Sequence, residues 1–198
     1  MQVNPIQQNN INFRAKLISP AKIKYKNGIR WNDFNVSFIK FNTHHNADRE
    51  TIKQVAGIWN NQNMSDTIAE EVDILGNKSE VYAITSQKKN FDKINPTNIL
   101  SLMTTDKVNQ TNGKVHIYRL GSKPEMSYAQ NGKSRSIKYF AKSLLQSFVK
   151  FIQKNKNIDG IEVYPEPSDI KFLEKMNFKA DGTDTFSLNK EDYDKLLK

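Results

Sequence analysis

Between Ile137 and Ile152 the apolar residues return every three or four positions, at Ile137, Phe140, Ala141, Leu144, Phe148, Phe151 and Ile152. That spacing places them on one stripe of a helix, with Lys138, Lys142, Gln146, Lys150 and Lys154 on the other side. The helix is predicted to stop at Asn155-Lys156-Asn157, after which Ile158 to Tyr164 alternates as a strand. Pro165 and Pro167 cannot donate to a sheet ladder and end that strand, and Ser168 is placed to cap a short helix running to about Met176. A helix delivering the chain into a strand is half of a strand-helix-strand crossover, so the chain upstream is expected to hold a strand parallel to 158–164.

The upstream chain reads as strands and helices in a distinctive order. Lys22 to Tyr25 and Ile29 to Trp31 flank Asn27-Gly28, a hairpin signal, and are predicted to add to the edge of the main sheet. Val36 to Phe41 is predicted as the first core strand. Asn46 then caps a helix with Asp48 and Glu50 in its first turn and Ile52, Val55, Ala56 and Trp59 on its buried side. A second helix is expected from Ser65, lined by Ile68, Val72 and Leu75 and stopped at Gly76. Three strands follow, Glu80 to Thr85, Ile99 to Thr104 and Lys114 to Leu120, the last two turning near Asn112-Gly113.

Gly121 to Ser134 has no periodicity and leads into the amphipathic helix. Beyond Met176, Phe178 to Ala180 and Thr185 to Leu188 can pair across Asp181-Gly182, and Asn189 can cap a last turn. The pattern predicts an α/β (α+β) fold, with a mixed, mostly antiparallel sheet of six to seven strands flanked by about four helices. Residues 1–15 are expected to be a flexible arm, and 16–198 one domain.

Charge narrows the partners. The net charge is +9, and between Ser127 and Asn157 seven basic residues meet no Asp or Glu. The front of the 137–152 helix, with Arg135 and Lys138 beside its outward N–H groups, is therefore an expected anion site. With no Cys the chain has no disulfide or thiol nucleophile, and His44-His45 lack a third ligand, so no metal is expected. No apolar run spans a membrane and Met1 to Asn12 is polar, so a cytoplasmic protein without a membrane partner is expected.

The element order, together with Phe172-Leu173-Glu174-Lys175-Met176-Asn177-Phe178, resembles the GNAT superfamily of N-acetyltransferases. There the short helix commonly reads Phe-Tyr-Glu-Lys-Leu-Gly-Phe. A loop of the form Gln/Arg-x-x-Gly-x-Gly/Ala precedes the longer helix and cradles the pyrophosphate of acetyl-coenzyme A. Aligned on Leu144-Leu145, that loop places Ser136 at the Gln/Arg, Tyr139 at the first Gly and Ala141 at the last position. The resemblance thus implies acetyl-CoA as cosubstrate, held by Arg135, Ser136, Lys138, Tyr139, Phe140 and Ala141. It also implies contacts with Tyr118 and Leu120 on the preceding strand, whose backbone N–H supports the acetyl carbonyl.

The implied reaction is direct attack of an amine, from a small molecule or a peptide, on the thioester. His116 and Glu80 are the candidates for the base, and Tyr164 for the hydroxyl that the family places on the short helix, where this chain has Leu173. Tyr139 and Leu173 together motivate an alternative, a GNAT-like binding module without catalysis. A third reading, nucleic-acid binding along the basic stripe at 133–156, lacks an accompanying motif and is not favoured.

Overall fold

The computed structural model describes residues 14–27, 30–59, 78–123, 137–138, 140–167, 169–182 and 184–198. The described strands form one sheet: β1 (Lys16–Asn27), β2 (Arg30–Phe41), β3 (Ser79–Thr85), β4 (Ile99–Asp106), β5 (Gly113–Ser122), β6 (Ile137–Lys138), β7 (Ile158–Val163), β8 (Lys179–Ala180) and β9 (Phe186–Asn189). Their order is β6-β1-β2-β3-β4-β5-β7-β9-β8, antiparallel throughout except for the parallel pair β5 and β7. The described helices are α1 (Asn46–Trp59), α2 (Phe140–Ile152), α3 (Ile170–Lys175) and α4 (Tyr193–Leu197). The mixed, mostly antiparallel α+β architecture is the expected one, and nine strands replace the six to seven read from sequence.

All seven residues of β3 are buried, because both faces of the sheet are covered there. On one face Ile39, Phe41, Val81, Ala83, Ile99 and Leu102 pack against Ile52, Val55 and Trp59 of α1. On the other, Phe38, Tyr82, Ile84, Met103, Val115 and Ile117 meet Phe140, Leu144, Leu145, Phe148, Val149 and Ile152 of α2. Leu173, Met176, Phe178, Tyr193 and Leu196 complete that second core. Rings of Phe38, Tyr82, Phe148 and Phe151 lie 5.1 to 6.5 Å apart and lock α2 onto the strands.

Three boundaries differ from the sequence reading. The early hairpin does add at one side of the sheet, but its second strand and the first core strand are one element: β2 runs unbroken from Arg30 into the core and pairs with β1 along its length. Because β2 pairs with β3 only from Ser37 to Phe41, the rest of the hairpin overhangs the sheet. The long helix starts at Phe140 rather than Ile137, since Ile137 and Lys138 pair with Tyr25 and Lys24 on that overhang. Ser143 Oγ then donates to the Lys22 carbonyl at 2.7 Å and fastens the first turn of α2 to the same hairpin. At α1 the cap is His45, whose Nδ1 accepts the Ala47 N–H at 3.2 Å, while Asn46 accepts from Arg49. Asn177 has a left-handed φ of 65°, which Asn tolerates at the end of α3. The helix predicted from Ser65 to Gly76 lies outside the described residues, as do Ser168 and most of the 1–15 arm.

Gly160 sits on β7 between its two neighbours, and a Cβ there would stand 2.9 Å from the Leu188 carbonyl oxygen of β9. The contact is with backbone and has no easy relief. Gly160→Ala is expected to lower unfolding stability by roughly 1–3 kcal/mol in urea denaturation, with no change in far-ultraviolet circular dichroism at low denaturant.

Candidate active site

Beyond Ile117 the two parallel strands part. The β5–β7 register ends at Ile117↔Val163, yet β5 continues to Ser122 against β4. Two local features cause this. Thr105 faces Ile117 and Thr104 faces Arg119, so Tyr118 has no counterpart on β4 and forms a bulge, which bends the strand and increases its twist. On the other side β7 stops at Val163, and Pro165, two residues later, has no N–H for a ladder. A wedge opens between the strand ends, at the same end of the sheet as the hairpin overhang and the start of α2.

Alternation sets which side chains reach its open face. Val115, Ile117, Ile161 and Val163 belong to the α2 core, so His116 and Glu162, which pair with each other between them, point to the opposite face. The core made by α1 covers β2 to β4 there and takes no residue from β5 or β7. The His116 ring lies between two phenols, its centroid 4.7 Å from that of Tyr118 and 4.9 Å from that of Tyr164. Its Nδ1 is 3.7 Å from Glu162 Oε1, an ion-pair distance once the imidazole is protonated.

Asp106 clamps the group from β4. It accepts the Tyr118 hydroxyl at 2.6 Å on one oxygen and the His116 backbone N–H at 3.0 Å on the other. Tyr164 is 59% exposed, so its hydroxyl can be reached from solution, whereas the His116 side chain is only 12% exposed. An imidazole able to take a proton and a phenol able to give one thus stand side by side, with two carboxylates to attract a cationic substrate.

The structure brings together three of the residues singled out from sequence, His116, Tyr118 and Tyr164, and places Leu120 on the same stretch of β5, packed against the α2 core. Phe140 and Ala141 open α2, whose first turn holds no acidic residue. Phe140 turns its ring into the core at 3% exposure, leaving its backbone as the part that can face a ligand. Lys138 does not belong to that helix turn; it sits in the β6 ladder beside Lys24. Arg135, Ser136 and Tyr139 lie outside the described residues.

Glu80 is not part of this group. It alternates onto the α2 face with Tyr82, and its carboxylate accepts from Lys40 Nζ at 2.5 Å, Tyr82 OH at 2.5 Å and the Val108 N–H at 3.3 Å. Burial, with the Glu80 charge beside it, pushes the Tyr82 phenol well above its ordinary pKa. Two residues of the site, Asp106 and Glu162, were not singled out from the sequence. The available signal was positional: Glu162 alternates with Ile161 and Val163, and Asp106 closes the strand paired with β5.

No family model and no curated protein matches the sequence. Solved structures do. A protein described as an acetyltransferase of the GNAT family, from Desulfovibrio desulfuricans, is 12% identical with a TM-score of 0.55, over 78% of this chain and 99% of that one. A bacterial toxin is 15% identical with a TM-score of 0.53, over 82% of this chain and 94% of that one. A spermidine N-acetyltransferase from Vibrio cholerae, in complex with CoA and spermine, is 14% identical with a TM-score of 0.48, over 73% and 93% of the two chains. The fold is that of the GNAT acetyltransferases.

Removing the Glu80 carboxylate strands Lys40 and the buried Tyr82 hydroxyl together. Glu80→Ala is expected to cost roughly 3 kcal/mol of unfolding free energy, seen as a lower urea midpoint at unchanged slope.

Proposed function

We propose that the protein is an N-acetyltransferase that moves an acetyl group from acetyl-CoA to an amine in a single direct attack. The observation that carries this reading is the coincidence of the Tyr118 bulge with the end of the β5–β7 register at Ile117 and Val163. A wedge between parallel strands, bounded at the same end by the start of a basic amphipathic helix, suits a long anionic thioester. Its extended arm lies along β5 past Tyr118 and Leu120, and its phosphates lie toward Phe140 and Ala141. The acidic and aromatic lining on the open face suits an ammonium-bearing acceptor.

In this reading Glu162 and Asp106 draw in the protonated amine, which gives one proton to solvent on entry, and His116 takes the second proton that the nitrogen loses as it attacks the carbonyl carbon. The bulge at Tyr118 lies where the GNAT resemblance puts the backbone donor for the carbonyl oxygen. As the carbon–sulfur bond breaks, Tyr164 supplies its phenolic proton to the departing thiolate and is reprotonated from solvent, which its exposure allows. The products are the acetylated amine and coenzyme A. Tyr164 thereby fills the role that Leu173 cannot, since Leu173 is 4% exposed and packed into the core. Arg135, Ser136, Lys138 and Tyr139 are assigned to the phosphate end on sequence grounds alone.

The buried Leu173 also favours a second reading, a module that binds acetyl-CoA without transferring the acetyl group. One titration and one assay separate them. Acetyl-CoA added to the purified protein in a calorimeter is expected to give a saturable heat, and the absence of heat removes both readings. Thiol release with a panel of primary amines is expected only for the enzyme. His116→Ala is expected to lower kcat by about 10²- to 10⁴-fold and to leave acetyl-CoA affinity within about threefold, while binding with no thiol release from any amine supports the module.

A further inference from the structure

At the opposite end of the sheet from the wedge, a pocket of about 440 Å³ lies between the start of β1, the end of β2, the start of β3 and the turn after β4. That volume is in the range of small-molecule sites, roughly 300–1,000 Å³. Its lining is cationic: Arg14, Lys16, Lys40 and Lys107 against one carboxylate, Glu80. Arg14 is already held by the buried Asp48 at 3.1 Å, and Glu80 is already taken by Lys40 at 2.5 Å. No ion pair is found for Lys16 or Lys107 among the described residues.

One further feature is hard to account for in a pocket that holds only water. Lys16 and Lys40 stand directly opposite each other across the β1–β2 ladder, a like-charge pairing that destabilises a sheet unless an anion offsets it. The one carboxylate in the lining, Glu80, offsets only one of the two.

We propose that this pocket binds a small phosphate-bearing anion, with Lys16, Lys40 and Lys107 as its cationic wall. Lysines act as point charges on phosphate, whereas the one guanidinium that could grip a planar carboxylate in two places is turned to Asp48. The site is distinct from the wedge and does not depend on the acetyltransferase reading.

The test is calorimetric titration of inorganic pyrophosphate into the full chain at low salt, with and without saturating coenzyme A. One equivalent is expected to bind in both arms, and the double variant Lys16→Glu/Lys107→Glu is expected to weaken it at least tenfold without altering the circular dichroism. Pyrophosphate is also expected to shift the backbone amide resonances of Lys16, Ser79 and Lys107. No heat with the wild type, equal affinity in the variant, or shifts confined to residues 137–145 would overturn the proposal. Tighter binding of a single-stranded oligonucleotide, lost in the same variant, would overturn it in favour of a nucleic-acid surface.

Discussion

Two neighbouring strands, β5 and β7, run in the same direction, and no tight turn can join strands so arranged. The chain between them has to leave the sheet and return, and α2 is the helix of that crossing. Most of the molecule follows from this requirement. A helix laid on the sheet must bury one face, and α2 does so through Phe140, Leu144, Leu145, Phe148, Val149 and Ile152. A parallel pair whose members end at different lengths must also diverge, and β5 outlasts β7 by the stretch from Tyr118 to Ser122. The crossover therefore produces the core and the wedge at once.

What could be read from the sequence divides along physical lines. The α2 stripe was legible because a helix of several turns repeats its pattern often enough to be recognised, and β3, β4, β5 and β7 were legible from short apolar runs bounded by turn residues. β6 was not, because two residues carry no period; Ile137 and Lys138 continued the helical spacing and were assigned to it. The hairpin and the Val36–Phe41 strand were read as two elements because Asn32, Asp33 and Asn35 interrupt the apolar pattern between them. Glu80 illustrates a different limit. Alternation says that two residues share a face but not which face of the sheet it is, and the α2 side is where Tyr82 takes it.

The candidate site shows the same division. His116, Tyr118 and Tyr164 were found because they fall on strands already placed and carry protic groups. Asp106 and Glu162 were missed because acidic residues at strand ends and on exposed faces are common, and only the three-dimensional pairing sets them apart. The bulge that isolates Tyr118 left no mark in the residues themselves, since it arises from the mismatch of two strands.

Among the described residues, both borders of the sheet are two-residue strands, β6 at one side and β8 at the other. A border so short offers little template for a foreign strand. Along residues 16–23 of β1, before its pairing with β6, stand Lys16, Pro20 and Lys22, two charges and a residue with no N–H. These are the devices by which sheets resist growing edge to edge. A chain with an extended hairpin and a nine-stranded sheet would otherwise be a candidate for fibrous self-association, and its borders are built to discourage it.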